Sequence, residues 1–105
     1  MRKQQVDAEA FERYTREHGR CLGIAVCQLR AAKGLTPDQL AKRAEVSAQW
    51  IRRLETNQLH TNYSIGRIDR IARALGVELY DVYKRADEML GPPPWLDKEG
   101  AQSDE

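Results

Sequence analysis

The residues whose types and spacing could do specific chemistry run from Ser47 to Arg53: Ser47-Ala48-Gln49-Trp50-Ile51-Arg52-Arg53. A glutamine amide matches the edge of adenine with two hydrogen bonds. An arginine forks onto guanine, and a small methyl group meets the methyl of thymine. No other segment offers a comparable set. Cys21 and Cys27 are six apart, which is not a same-face helical spacing, whereas His18 and Cys21 could share a face. A metal site wants about four ligands, and only His60 remains as an obvious extra. The pattern therefore implies no metal and no other cofactor, and the cysteines read as small core residues. Two histidines and scattered carboxylates form no nucleophile–base constellation, and there is no glycine-rich phosphate loop. The sequence points away from an enzyme.

Composition agrees with a small binding domain. The chain has 105 residues, 31% charged and 7% aromatic, which leaves room for one domain of roughly 60–80 residues plus tails. There is no run of about 20 apolar residues, so no membrane span is expected. The basic start Met1-Arg2-Lys3-Gln4-Gln5 leads into no apolar stretch, so no secretory signal is expected. Two cysteines fit a reducing cytoplasm better than a disulfide scaffold. The net charge of +1 conceals an asymmetry: residues 20–73 carry +6, residues 1–19 balance, and residues 74–105 carry −5. A basic middle with an acidic end points to one face built for a polyanion.

The elements that must position Ser47 to Arg53 are helical. Gly34, Pro37, Gly76 and Gly91-Pro92-Pro93-Pro94 punctuate the chain, and no stretch alternates for long enough to be a strand. Asp7 is a candidate cap for a first helix. Its stripe Val6, Ala10, Phe11, Tyr14 and His18 continues through Leu22, Val26 and Leu29 to about Ala32. Gly19 either breaks or weakens it, and Gly34 closes it. Thr36-Pro37-Asp38-Gln39 has the capping-box pattern, with Pro37 at the first helical position. Leu40, Ala41 and Ala44 form the inner face of that short helix. After a turn at Glu45-Val46, Ser47 caps a second short helix, with Ile51 and Leu54 inward, that ends near Thr56-Asn57. Two short helices joined by about three residues form a helix-turn-helix pattern. At about 100° per residue, Ile51, Leu54 and Ser47 place the buried direction near 330°, whereas Arg52, Gln49 and Arg53 fall near 100°, 160° and 200°. All three point outward, with Ala48 and Trp50 flanking the buried stripe. A fourth helix, capped by Asn62 or Ser64, is lined by Ile65, Ile68, Ile71, Ala72 and Leu75. A fifth is lined by Leu79, Val82, Tyr83, Ala86 and Met89.

The ordered set Leu29-Arg30, Gly34-Leu35-Thr36, Gln39-Leu40-Ala41, Val46-Ser47, Ile51, Leu54-Glu55 and Ile71-Ala72-Arg73-Ala74-Leu75-Gly76-Val77 resembles the Cro and phage-repressor (Xre-like) type of helix-turn-helix regulator. The resemblance covers about residues 20–83. It implies an all-α, five-helix bundle whose third helix, here Ser47 to Glu55, enters the DNA major groove. Ala48, Gln49, Trp50, Arg52 and Arg53 then become candidates for base contacts. Trp50 has packing on the preceding helix and contact with a partner subunit as its other candidate roles. Phosphate contacts are expected around that helix, from Thr36 and Gln39 where the preceding helix opens, from Arg43 and Arg67 with Arg70 beside them, and from Asn57, Gln58, His60, Thr61, Asn62 and Tyr63. Contacts of this kind carry affinity and salt dependence and no sequence information. The resemblance also implies that Arg30 pairs with Glu55 as a structural clamp. The chain departs from the family at Pro37, where a glutamine is common, and at Asn57, where glycine is usual; asparagine tolerates the left-handed conformation. Its loop at 58–63 is also less basic than in many relatives.

These readings divide the chain into an N-terminal helical extension (1–19), a helix-turn-helix domain (20–90), and a Pro-rich strap with an acidic, disordered tail (91–105). The strap is expected to be extended, with Trp95 packing back onto the domain or onto a partner chain. The implied function is sequence-specific regulation of transcription in a prokaryotic cytoplasm. A repressor would read a palindromic operator in double-stranded DNA as a homodimer, with half-sites about 34 Å apart. The alternative is a protein-interaction module on the same bundle, such as the antitoxin of a toxin–antitoxin pair.

Overall fold

The computed structural model describes residues 8–59, 64–93 and 95–96. They form five helices: α1 (Ala8–Ala32), α2 (Pro37–Ala44), α3 (Ala48–Glu55), α4 (Ile65–Ala74) and α5 (Leu79–Leu90). The fold is the expected all-α bundle. Packing runs α1 on α5 and α3, α2 on α3 and α4, and α4 on α5. Among the described residues, no helix is long and apolar enough to cross a membrane.

Local sequence sets the helix boundaries. The backbone NH of Gln39 donates to Thr36 Oγ1, and the Gln39 side chain accepts from the Thr36 NH, closing the capping box on α2. Ser47 accepts from the NH of Trp50, and Ser64 from that of Arg67. Each cap satisfies a donor that the first helical turn leaves unpaired. Glu45 sits in the left-handed region at φ 58° between α2 and α3, and Asn57 at φ 59° after α3. Asn57 is thus a working substitute for the family's glycine. α1 runs through Gly19 unbroken because that residue is buried against the bundle, and packing outweighs a glycine's weak helix propensity. The candidate cap Asp7, the apolar Val6 and the tail from Asp97 to Glu105 lie outside the described residues.

One core joins all five helices. Leu22 and Val26, Leu40, Ile51 and Leu54, Ile68 and Ile71, and Val82 and Ala86 are each almost or wholly inaccessible. Cys21 belongs to the same core, and burial pushes its thiol above the ordinary cysteine range. Three expected lining residues are instead exposed: Phe11, Ile65 and Met89. Phe11 lies in the first turn of α1, where its ring meets Trp95 at a centroid distance of 5.6 Å. Ile65 is the opening residue of α4. On α5 the inward position after Ala86 goes to Leu90, four residues on, and Met89 turns outward.

Gly23 sets the spacing between α1 and α3. A Cβ at this position would run into the Leu54 carbonyl oxygen and come within 3.1 Å of the Glu55 Cα. Both are backbone atoms, so neither can turn aside as a side chain does. Gly23→Ala should therefore destabilise the fold by about 1–3 kcal/mol through overpacking. Thermal unfolding followed by circular dichroism is the check, and an unchanged midpoint would show that α1 and α3 separate freely.

Candidate nucleic-acid interface

The free face belongs to α3. Ile51 and Leu54 anchor it in the core, and Gln49, Arg52 and Arg53 are all exposed. Ala48 is half-buried against the core and shows only part of its methyl surface. Among the described residues, Arg53 has no carboxylate within pairing distance, whereas Arg52 Nη2 donates to Asp38 Oδ1 of α2 at 3.1 Å.

Trp50 departs from its place among the base-contacting candidates. The residue is 8% exposed and belongs to the common core. The guanidinium of Arg67, in the first turn of α4, lies 5.3 Å from the centre of the indole ring. This is a cation–π contact. It fixes the Arg67 side chain, which remains exposed, beside α3.

The far end of α3 is clamped. Arg30 Nε and Nη2 each donate to one oxygen of the Glu55 carboxylate at 2.8 Å, and Nη1 donates to the Leu35 carbonyl at 2.7 Å. Nη2 also reaches Cys27 Sγ at 3.6 Å. The paired side chains are only 15% and 9% exposed. The hydrogen bonds that Arg30 donates to the Glu55 carboxylate hold its guanidinium above its ordinary basicity. One side chain thus ties the end of α1, the loop before α2 and the end of α3. A forked arginine–carboxylate pair has the geometry for this, which a lysine lacks.

The phosphate-contact candidates are only partly described. His60, Thr61, Asn62 and Tyr63 lie outside the described residues. Thr36, Gln39, Arg43, Gln58, Arg67 and Arg70 are exposed, and Asn57 is half-buried. The capping box uses the acceptors of Thr36 and Gln39 and leaves the hydroxyl hydrogen and the amide NH2 as donors, which is what a phosphate oxygen needs. Two residues with a part in the geometry carry no signature in the sequence pattern. Gly23 is visible only through packing, and Asp38 looks like an ordinary first-turn acid. Among the described residues, no group of three or more His, Cys, Asp or Glu is placed to hold a metal ion.

A family model for a helix-turn-helix domain matches residues 22–82. No curated protein matches the chain. Among solved structures, the clp gene regulator ClgR from Corynebacterium glutamicum is similar, with a TM-score of 0.65 and 28% identity over 83% of this chain and 84% of that one. The matched family model and this likeness make the chain a helix-turn-helix, DNA-binding transcriptional regulator, similar to the Cro and phage-repressor type. The chain belongs to the helix-turn-helix domain family.

Removing Glu55 should show what the clamp contributes. Glu55→Ala leaves a mostly buried guanidinium without its carboxylate, at a cost of about 1.5–3 kcal/mol. Glu55→Gln, which keeps one acceptor, should fall between the two. Urea unfolding midpoints measure this, and coincident curves for parent and alanine variant would remove the clamp from the account.

Proposed function

We propose that the protein is a sequence-specific transcriptional regulator, a repressor, that reads a palindromic operator in double-stranded DNA as a homodimer in a prokaryotic cytoplasm. On this reading it needs no cofactor and catalyses no reaction. The observation that carries the proposal is the exposed set Gln49, Arg52 and Arg53 on a helix whose two ends are held, at Ser47 by its cap and at Glu55 by Arg30. A rigid helix presenting an amide and two guanidiniums has the donor pattern that the major groove discriminates. The clp gene regulator ClgR, similar in fold over most of both chains, supports the same class of activity. Repression follows from occupancy alone, which asks of the protein only what α3 and its scaffold supply.

The reading needs a second copy, since one helix spans only a few base pairs. Phe11 on the first half of α1, Tyr80 and Met89 on α5, and Trp95 and Leu96 on the segment after it are exposed, and Phe11 meets Trp95. Tyr14 adds an edge-on contact to Trp95 at 5.1 Å. Phe11 precedes Gly23, where α3 docks, by 12 residues, or about 18 Å along α1. Two chains paired at that end would carry their recognition helices about 36 Å apart if the helices lie in line, close to one turn of duplex. The acidic residues of the C-terminal third would then face away from the phosphates.

Selection of preferred sites from random duplexes tests the operator. A two-fold symmetric motif is expected, and Arg53→Ala should cost about 1–3 kcal/mol and relax one position in each half-site. Equal affinity for all duplexes would sink the operator reading. Absence of DNA binding before and after the substitution is the signature of a protein-interaction module. Light scattering on the selected duplex should give two chains per site, and one chain would exclude the homodimer.

A further inference from the structure

Asp38 and Arg52 meet on the outer side of the helix-turn-helix unit. Asp38 is the second residue of α2 and Arg52 the fifth of α3. Their hydrogen bond of 3.1 Å joins side chains that are 69% and 54% exposed. An ion pair so open to water contributes little to folding. A carboxylate is also an unfavourable neighbour for a surface that meets phosphates, because it repels them. The first turn of a helix does favour negative charge, but the cap of α2 is already complete through Thr36 and Gln39. Folding alone does not account for a carboxylate reaching across to α3.

We propose that Asp38 is a positioning residue for DNA recognition: its carboxylate holds the Arg52 guanidinium so that the remaining two-donor edge meets guanine. The inference rests on the reading of α3 as the DNA-reading helix. A guanidinium carries five donors in a rigid fork. The two hydrogens of Nη2 belong to different edges of that fork, one shared with Nε and the other with Nη1. Asp38 takes one of them, so one two-donor edge stays open whichever it takes. Such an edge suits N7 and O6 of guanine. An unrestrained arginine must be ordered on binding, at an entropic cost, and can settle on a phosphate in place of a base. Pairing with Asp38 reduces both tendencies, because the side chain is oriented beforehand and its charge partly offset. The adjacent arginines are therefore unequal: Arg52 is directed, and Arg53 finds its partner without a guide.

The test measures affinity and discrimination separately. Full-length protein, Asp38→Asn, Asp38→Glu, Arg52→Ala and the Asp38→Asn/Arg52→Ala double variant are titrated by fluorescence anisotropy. The probes are the duplex selected by the parent protein and a scrambled duplex of equal length, and melting midpoints are recorded alongside. Asp38→Asn should bind the scrambled duplex more tightly than the parent, because a repelling charge has gone. Its ratio of selected to scrambled affinity should nonetheless fall about two- to fivefold, the scale of an exposed pair. Asp38→Glu should recover most of the ratio, and Asp38→Asn should change it no further when Arg52 is already alanine. Melting midpoints should stay in place. If the parent discriminates and Asp38→Asn does so equally well, the positioning role is overturned and the operator reading stands. A further loss in the Arg52→Ala background also overturns it, assigning Asp38 a direct contact such as a cytosine amine. A parent protein with equal affinity for both duplexes overturns the operator reading and this inference together.

Discussion

The approach of α3 to α1 is the constraint on which the rest of the structure depends. Gly23 lets the backbone of Leu54 and Glu55 come against α1 where a side chain would block it. Only at that spacing does Arg30 reach the Glu55 carboxylate with two donors while its third nitrogen bonds the Leu35 carbonyl. Helix α3 has eight residues, fewer than an isolated helix needs to hold its shape in water. Its orientation is therefore a tertiary property, set by two buried anchors, a cap and this pair. On the proposed reading such rigidity favours binding, since every rotatable bond ordered on contact with a groove subtracts from affinity.

The chain around α3 carries the matching strain. Glu45 and Asn57 bracket it, both with positive φ. A non-glycine residue in this region costs about 1–2 kcal/mol. Asparagine is among the residues that tolerate the region; glutamate has no such excuse. Glu45 holds its place because its NH still reaches the Ala41 carbonyl and because Val46, the next residue, donates to the same oxygen at 3.1 Å. The sharp entry into α3 is thus maintained by what the turn binds, and the short connection leaves no slack for the helix to swing.

Much of this was legible in the residues. Thr36 with Gln39, and Ser47, announce helix starts because capping needs specific side-chain acceptors at fixed offsets, while the start of α4 is narrowed to a cap at Asn62 or Ser64, of which the structure uses Ser64. Ile51 and Leu54 announce the inner face of α3, so Gln49, Arg52 and Arg53 follow as its outer face. Arg30 with Glu55 was legible only through family resemblance, since 25 residues separate them and no local rule links them. Other features were hidden. Trp50 lies at the edge of the buried arc, so a wheel drawn on one helix leaves packing, base contact and a partner subunit all open, and only the assembled core shows it buried. Phe11 and Met89 carry apolar side chains at helical spacing, but periodicity states which residues share a face and not whether another element reaches it. Gly23 and Asp38 act on helices distant in sequence, so their roles exist only once α1, α2 and α3 are assembled.

Helix α1 is the element that makes these parts one device. It is 25 residues long, well beyond what the core needs, and its two halves do different work. The half from Gly19 to Arg30 is buried among the other helices and fixes α3. The half before it carries Phe11 and Tyr14, whose rings meet Trp95 from the segment after α5. Beside them His18 stacks on Tyr83 of α5 at 5.8 Å and lies 3.3 Å from Asp87. A continuous α-helix is stiff over this length, because each residue is tied to its neighbour four places on. The aromatic contacts at one end and Gly23 and Arg30 at the other therefore belong to one unbroken rod, with no hinge between them. Gly19 sits between the two halves and could have supplied that hinge, but its burial against the bundle denies it the freedom to act as one.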